Sequence, residues 1–238
     1  MKFLKFILIF IGVIFALAFC VILHFSPFLN PFPGLAGQYG VGSQNFCWID
    51  SDVIEKDNND AEHFRSISVK IMYPSDTKNP DKCSYMDDKI ILVKKQLYSQ
   101  YHIPYFISDL FFSFSTDSMQ YSGFSTKKQE YPIVIFSPAY AFVKENYTAL
   151  LENIASLGYI VVSIDHPYIS GLTQDDQDRI FIVKEREGEI IRAQEKEIKT
   201  INNDIKFVIQ QIKHLNNDIT SNFYKKFDLD RIALMGHK

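Results

Sequence analysis

At 238 residues, 47% of them hydrophobic, the chain has the size and composition of one globular domain or a domain with an appendage, which excludes disorder and collagen-like repeats. Lys and Arg number 25 against 28 Asp and Glu, with no block of basic residues, so the electrostatics give no reason to expect nucleic acid as a partner. Cys20, Cys47 and Cys83 lack the CxxC spacing of zinc or thiol-redox sites and permit at most one structural disulfide.

The first predicted element is apolar. From Phe6 to Phe25 the chain reads FILIFIGVIFALAFCVILHF, interrupted by Gly12 and His24, and as a helix it spans roughly 30 Å of hydrocarbon. Lys2 and Lys5 precede the run, so the positive-inside rule predicts a cytoplasmic N-terminus and an extracytoplasmic body. The run exceeds the core of about 7–15 residues found in cleaved signals. Cys20 follows bulky Phe19, where a lipid-modified cysteine requires a small residue. We therefore expect an uncleaved single-pass anchor over 1–25, with secretion after cleavage near Ala36 as the alternative. Residues 26–40, SPFLNPFPGLAGQYG, read as a Pro/Gly linker, and 41–238 as the body. In an extracytoplasmic compartment, Cys47 and Cys83 are the pair for which a disulfide persists.

Within the body, Arg65 to Tyr73 alternates, with Ile67, Val69, Ile71 and Tyr73 on one face of a half-buried strand that Pro74 and Ser75 end. Ile133 to Phe136, introduced by Tyr131-Pro132, and Tyr159 to Ile164 are short continuous apolar runs, as in strands covered on both faces. Between them, Tyr147, Leu150, Leu151, Ile154 and Leu157 recur at helical spacing, and Gly158 stands where a helix ends in positive φ. Strand, helix and strand in about thirty residues predict a parallel crossover unit. Glu189 to Leu215 carries Ile191, Ile198, Ile201, Ile205, Val208, Ile212 and Leu215 on one stripe, a long amphipathic helix for which a coiled coil is the alternative. A buried strand, Arg231 to Met235, follows. The expected class is α/β, with a mostly parallel sheet and flanking helices.

That last strand runs directly into Gly236-His237-Lys238. In serine hydrolases of the α/β type, G-x-S-x-G occupies this place, because the strand-to-helix turn needs glycines and lifts the serine oxygen above the sheet. Several segments, in order, resemble the platelet-activating-factor acetylhydrolases of the plasma, phospholipase A2-like type, and neighbouring bacterial dienelactone-hydrolase-like esterases. GQYGVGSQNF looks like the family's G-x-Y-x-V-G opening, and RSISVKIMYPSD like its R-x-x-x-V-x-x-x-Y-P strand. YPIVIFSPAYAF is similar to its Y-P-x-V-x-F-S-H-G-L-G-A segment, and NIASLGYIVVSIDHPY to its A-S-x-G-y-x-V-x-x-x-D/E-H segment. RAQEKEIKTINNDIKFVI and FDLDRIALMGH resemble the helix and strand before the family's G-H-S-x-G-G.

The resemblance implies an incomplete α/β-hydrolase fold and a metal-free, cofactor-free carboxylic ester hydrolase acting on short-chain or oxidised phospholipids or similar esters. In such an enzyme a serine attacks the ester carbonyl, a histidine held by an aspartate moves the proton, and backbone N–H groups stabilise the oxyanion. By position, Tyr140 is one oxyanion donor. Lys238 stands at the serine's position, Gly236 and His237 are the remnant of the elbow, and the aspartate and histidine of this fold come later in chain order. The family's His-Gly is replaced by Pro138-Ala139; proline donates no N–H, and alanine enters positive φ less readily than glycine. We accordingly expect no ester turnover from this chain, a non-catalytic lipid-binding or interaction module of the same fold being the alternative. Three other features carry weaker readings: Asp165-His166 at a strand end as a loop anchor or ligand position, Asp175 to Asp178 as a solvated loop, and Tyr105 to Phe124 as a lipid-facing lid or ordinary core.

Overall fold

The computed structural model describes residues 2–24, 33–56, 61–77, 82–86, 90–112, 114–175, 177, 179–183 and 190–237. By contacts the chain divides into two compact units, Met1–Pro33 and Gly34–Lys238. The first contains one helix, α1 (Lys2–His24), uncharged beyond Lys5 and with Phe6 and Phe15 exposed at 73% and 72%. Among the described residues no helix is long and apolar enough to cross a membrane.

The second unit is a mixed α/β sheet structure. Its elements are β1 (Gly40–Lys56), β2 (Glu62–Ser75), β3 (Lys82–Ser84), α2 (Ile90–Tyr101), α3 (Tyr105–Phe112), β4 (Ser115–Gln120), β5 (Tyr131–Ser137), a 3₁₀ turn (Lys144–Tyr147), α4 (Thr148–Ser156), β6 (Ile160–Asp165), β7 (Leu172–Gln174), β8 (Ile180–Ile182), α5 (Ile190–Asn217) and β9 (Phe227–Gly236). Seven strands form one sheet in the order β3-β4-β1-β2-β6-β5-β9. β4, β1, β6, β5 and β9 run the same way, and β2 and β3 run against them. β7 and β8 make a separate antiparallel pair.

Alternation along the strands sorts side chains to two faces. Ile67, Val69, Ile71 and Tyr73 of β2 join Ile133 and Ile135 of β5 and Ile160, Val162 and Ile164 of β6 in a core that Val208 and Ile212 of α5 cover. Met72, Phe136 and Val161 point the other way, onto Leu151 and Ala155 of α4. Each of these fully buried side chains contributes roughly 1.5–3 kcal/mol of transfer free energy, so the two helices are held chiefly by the sheet. Of the described residues on the α5 stripe, Ile205, Val208, Ile212 and Leu215 pack on the core, whereas Ile198 is 58% exposed.

Two local features set the frame of the site. Pro132 lacks the N–H a ladder needs, and the β5–β9 register shifts there, Pro132 opposing Asp228 and Ile133 opposing Ile232. Ahead of β1, the Ala36 and Gly37 N–H groups donate to Asn153 Oδ1 and Ser156 Oγ, and Tyr39 N–H donates to the Ser156 carbonyl. The 36–39 segment of the expected linker is thus docked on α4. A Cβ on Gly37 would lie 2.0 Å from the Ser156 carbonyl oxygen, so the docking requires glycine.

Candidate active site

β5, β6 and β9 end side by side, the edge at which open α/β sheets place ligands. Ser137 closes β5, His166 follows β6, and Asp204 lies on the sheet-facing side of α5 one turn before Val208. Ser137 Oγ is 2.8 Å from His166 Nε2, and His166 Nδ1 is 2.7 Å from Asp204 Oδ2. Asp204 also accepts two hydrogen bonds from the Arg65 guanidinium, at 2.7 Å from Nε and 2.7 Å from Nη2, and Arg65 Nη1 reaches Glu55 at 2.5 Å. His166 is 0%, Asp204 2% and Arg65 2% exposed, whereas Ser137 is half-buried.

The electrostatics fix the proton positions. Burial works to raise the Asp204 carboxyl, but the hydrogen bonds and charge of Arg65, with His166, outweigh it and hold the group below its usual range. An ionised Asp204 accepts from Nδ1–H, and in the neutral imidazole Nε2 is then the acceptor for the Ser137 hydroxyl. Arg65 is raised in turn, its burial being outweighed by Asp204 and Glu55.

The loop after β5 is held by its neighbours. Positive φ falls on Ala141, at 63°, and not on Ala139; Ala141 N–H donates to the Ile169 carbonyl at 2.9 Å, and Phe142 N–H to that of Ala139 at 3.0 Å. Tyr140 is half-buried in this turn. Gly236 pairs with Ser137 in the sheet, and His237 N–H donates to the Ser137 carbonyl at 3.3 Å. The Tyr147 hydroxyl accepts from Ala139 N–H at 3.4 Å and bonds His237 Nδ1 at 2.8 Å, so His237 ties the end of β9 to the loop.

Asp165 is the loop anchor: it accepts from the Lys144 backbone N–H at 2.8 Å and from Lys144 Nζ at 2.7 Å, where the 3₁₀ turn begins. Asp175 is buried and paired with Arg179 at 2.6 Å. In the 105–124 segment, Tyr105 and Phe106 are exposed and Met119 is buried, so both surface and core roles are present. Lys238, the side chain of Cys83, Asp176 and Asp178 lie outside the described residues; Cys47 lies in β1 and the backbone of Cys83 in β3. No group of three or more His, Cys, Asp or Glu able to hold a metal occurs among the described residues.

Our sequence reading gave no catalytic role to Ser137, His166, Asp204 or Arg65. The available signal was Asp204 itself, a charged residue spaced four and eight positions before Val208 and Ile212 on the stripe that faces the sheet.

Residues 29–238 match the family described as platelet-activating factor acetylhydrolase, isoform II. No curated protein matches the sequence. Among solved structures, the chain is similar to a ferulic acid esterase from Streptomyces cinnamoneus, with 19% identity and a TM-score of 0.65 over 87% of this chain and 54% of that one. It therefore spans about half the length of that esterase, a likeness of fold. With the family match running through every strand of the sheet and through the strand ends where Ser137, His166 and Gly236 meet, the chain belongs to the platelet-activating factor acetylhydrolase isoform II family of α/β hydrolases.

Proposed function

We propose that the chain is the N-terminal part of a membrane-anchored carboxylic ester hydrolase that deacylates short-chain or oxidised phospholipids, and that this chain does not turn such esters over through its elbow. The observation that carries the reading is Gly236-His237 at the end of β9, laid against Ser137 and the loop after β5, inside a family match over 29–238. An elbow serine there attacks the ester carbonyl, and Tyr140 N–H in the adjoining loop supplies an oxyanion donor. Position 238 instead carries lysine, which has no hydroxyl for that attack. In the anchor reading, α1 crosses the bilayer with Lys2 and Lys5 on the cytoplasmic side and the body on the other.

A second reading, a lipid-binding module without turnover, is favoured by an open cleft of about 360 Å³ lined by Ile49, Ile54 and Phe64 together with Glu62, His63, Gln177 and Arg179. Ile54 and Phe64 are 63% and 48% exposed there, which suits an acyl chain.

One reconstitution tests both parts. The full chain is incorporated into phosphatidylcholine vesicles carrying a phospholipid with a radiolabelled acetyl group, and the vesicles are floated. We expect the chain in the floating fraction with no acetate released. Release of acetate overturns the inactivity, and a chain that stays in the dense fraction overturns the anchor.

A further inference from the structure

We propose that Ser137 is an activated nucleophile, able to take one acyl or phosphonyl group from a small reactive ester on a relay separate from the elbow at 236–238. Arg65, Asp204 and His166 are closed off from solvent, whereas Ser137 at the end of the series is half-buried, so its Oγ is where an external electrophile meets the relay. Ser137 faces Nε2 of an imidazole whose other nitrogen is committed to an ionised carboxylate, itself fixed by two bonds from Arg65. That order of contacts is the one by which a general base activates a hydroxyl. The three groups come from β5, the residue after β6, and α5.

In the step proposed, the Ser137 Oγ–H proton passes to His166 Nε2 as the Oγ–acyl carbon bond forms. The bond to the leaving alkoxide breaks, and Nε2 returns the proton to that alkoxide; Asp204 stays ionised throughout. With a fluorophosphonate, Oγ–P forms, P–F breaks and the proton leaves with fluoride.

The test uses the full chain in detergent micelles with a biotinylated fluorophosphonate and peptide mapping. We expect one adduct per chain, on Ser137. In Ser137→Ala it disappears, and in Asp204→Asn, with folding checked by circular dichroism, labelling slows by about a hundredfold, the low end of what a positioned general base contributes. Because Asp204 is buried, Ser137→Cys provides a second variant: iodoacetamide should alkylate the peptide carrying position 137 faster in the folded chain than in urea. An adduct at another residue, labelling retained in Ser137→Ala, or alkylation of that peptide in Ser137→Cys no faster than in urea overturns the proposal. None of these outcomes bears on acetate release from phospholipid. Release that persists in Ser137→Ala would overturn the earlier reading alone.

Discussion

Arg65 sits at 2% exposure between Asp204 and Glu55 and pairs with both carboxylates, Asp204 buried and Glu55 half-buried. Breaking a buried pair by removing one partner costs about 3–5 kcal/mol, because the other charge is left uncompensated. Arg65→Met, which keeps most of the apolar stem, should therefore lower the unfolding free energy by about that amount at pH 7. The pH dependence has a definite sign. Asp204 is held below its unfolded value, so its contribution is complete above the ordinary carboxylate pKa of about 3.9 and is lost as pH falls below it. The deficit of Arg65→Met relative to the native chain should thus shrink as pH drops from 4 towards 3, in urea titrations of both. A deficit independent of pH would show that the loss comes from packing. Residues of this kind were poorly legible in the sequence, since Arg65, Ser137 and Asp204 each read as an ordinary strand or helix residue, and His166 only as part of a loop anchor or ligand position. Their meaning comes from long-range juxtaposition, Asp204 being 139 positions from Arg65.

At the scale of elements, periodicity located β2, β5, β6, α4 and α5, because those segments bury one face or two and their composition records it. β1 left no such record. Its sequence GVGSQNFCWIDSDVIEK has no sustained alternation, and its register comes from β2, with a shift between Asp50 and Ile54. The end of α4 was legible through Gly158, and the structure shows why another residue fails there. Gly158 has φ of 102°, and a Cβ would stand 3.1 Å from the ring of Tyr39, which packs edge-on against Tyr131. Gly158→Ala should destabilise the body by about 1–3 kcal/mol, the cost of a side chain held in a sparsely populated backbone region. Chemical unfolding measures it; a variant as stable as the native chain would mean that the turn relaxes without strain.

At the scale of the molecule, the sheet is asymmetric. β9 has β5 on one side and no strand on the other among the described residues, and Leu234 is 63% exposed along this edge. An unpaired edge with apolar side chains is a template for another strand, and charged residues blunt such edges. Arg231 protects only one end: its guanidinium is tied to Asp228, while Ala233 and Leu234 follow uncharged. We therefore expect the full chain in detergent micelles to associate increasingly with concentration through β9. Leu234→Lys should reduce the associated fraction in sedimentation velocity at matched concentration. As a substitution at an exposed position it should alter the stability of the single chain by no more than about 0.5 kcal/mol. The control matters because a destabilised body would also aggregate: Gly158→Ala lowers stability without touching the edge, so edge pairing predicts less association in Leu234→Lys and no relief in Gly158→Ala. If the native chain is monomeric throughout, or if Leu234→Lys associates as strongly as the native chain, β9 is not the pairing surface.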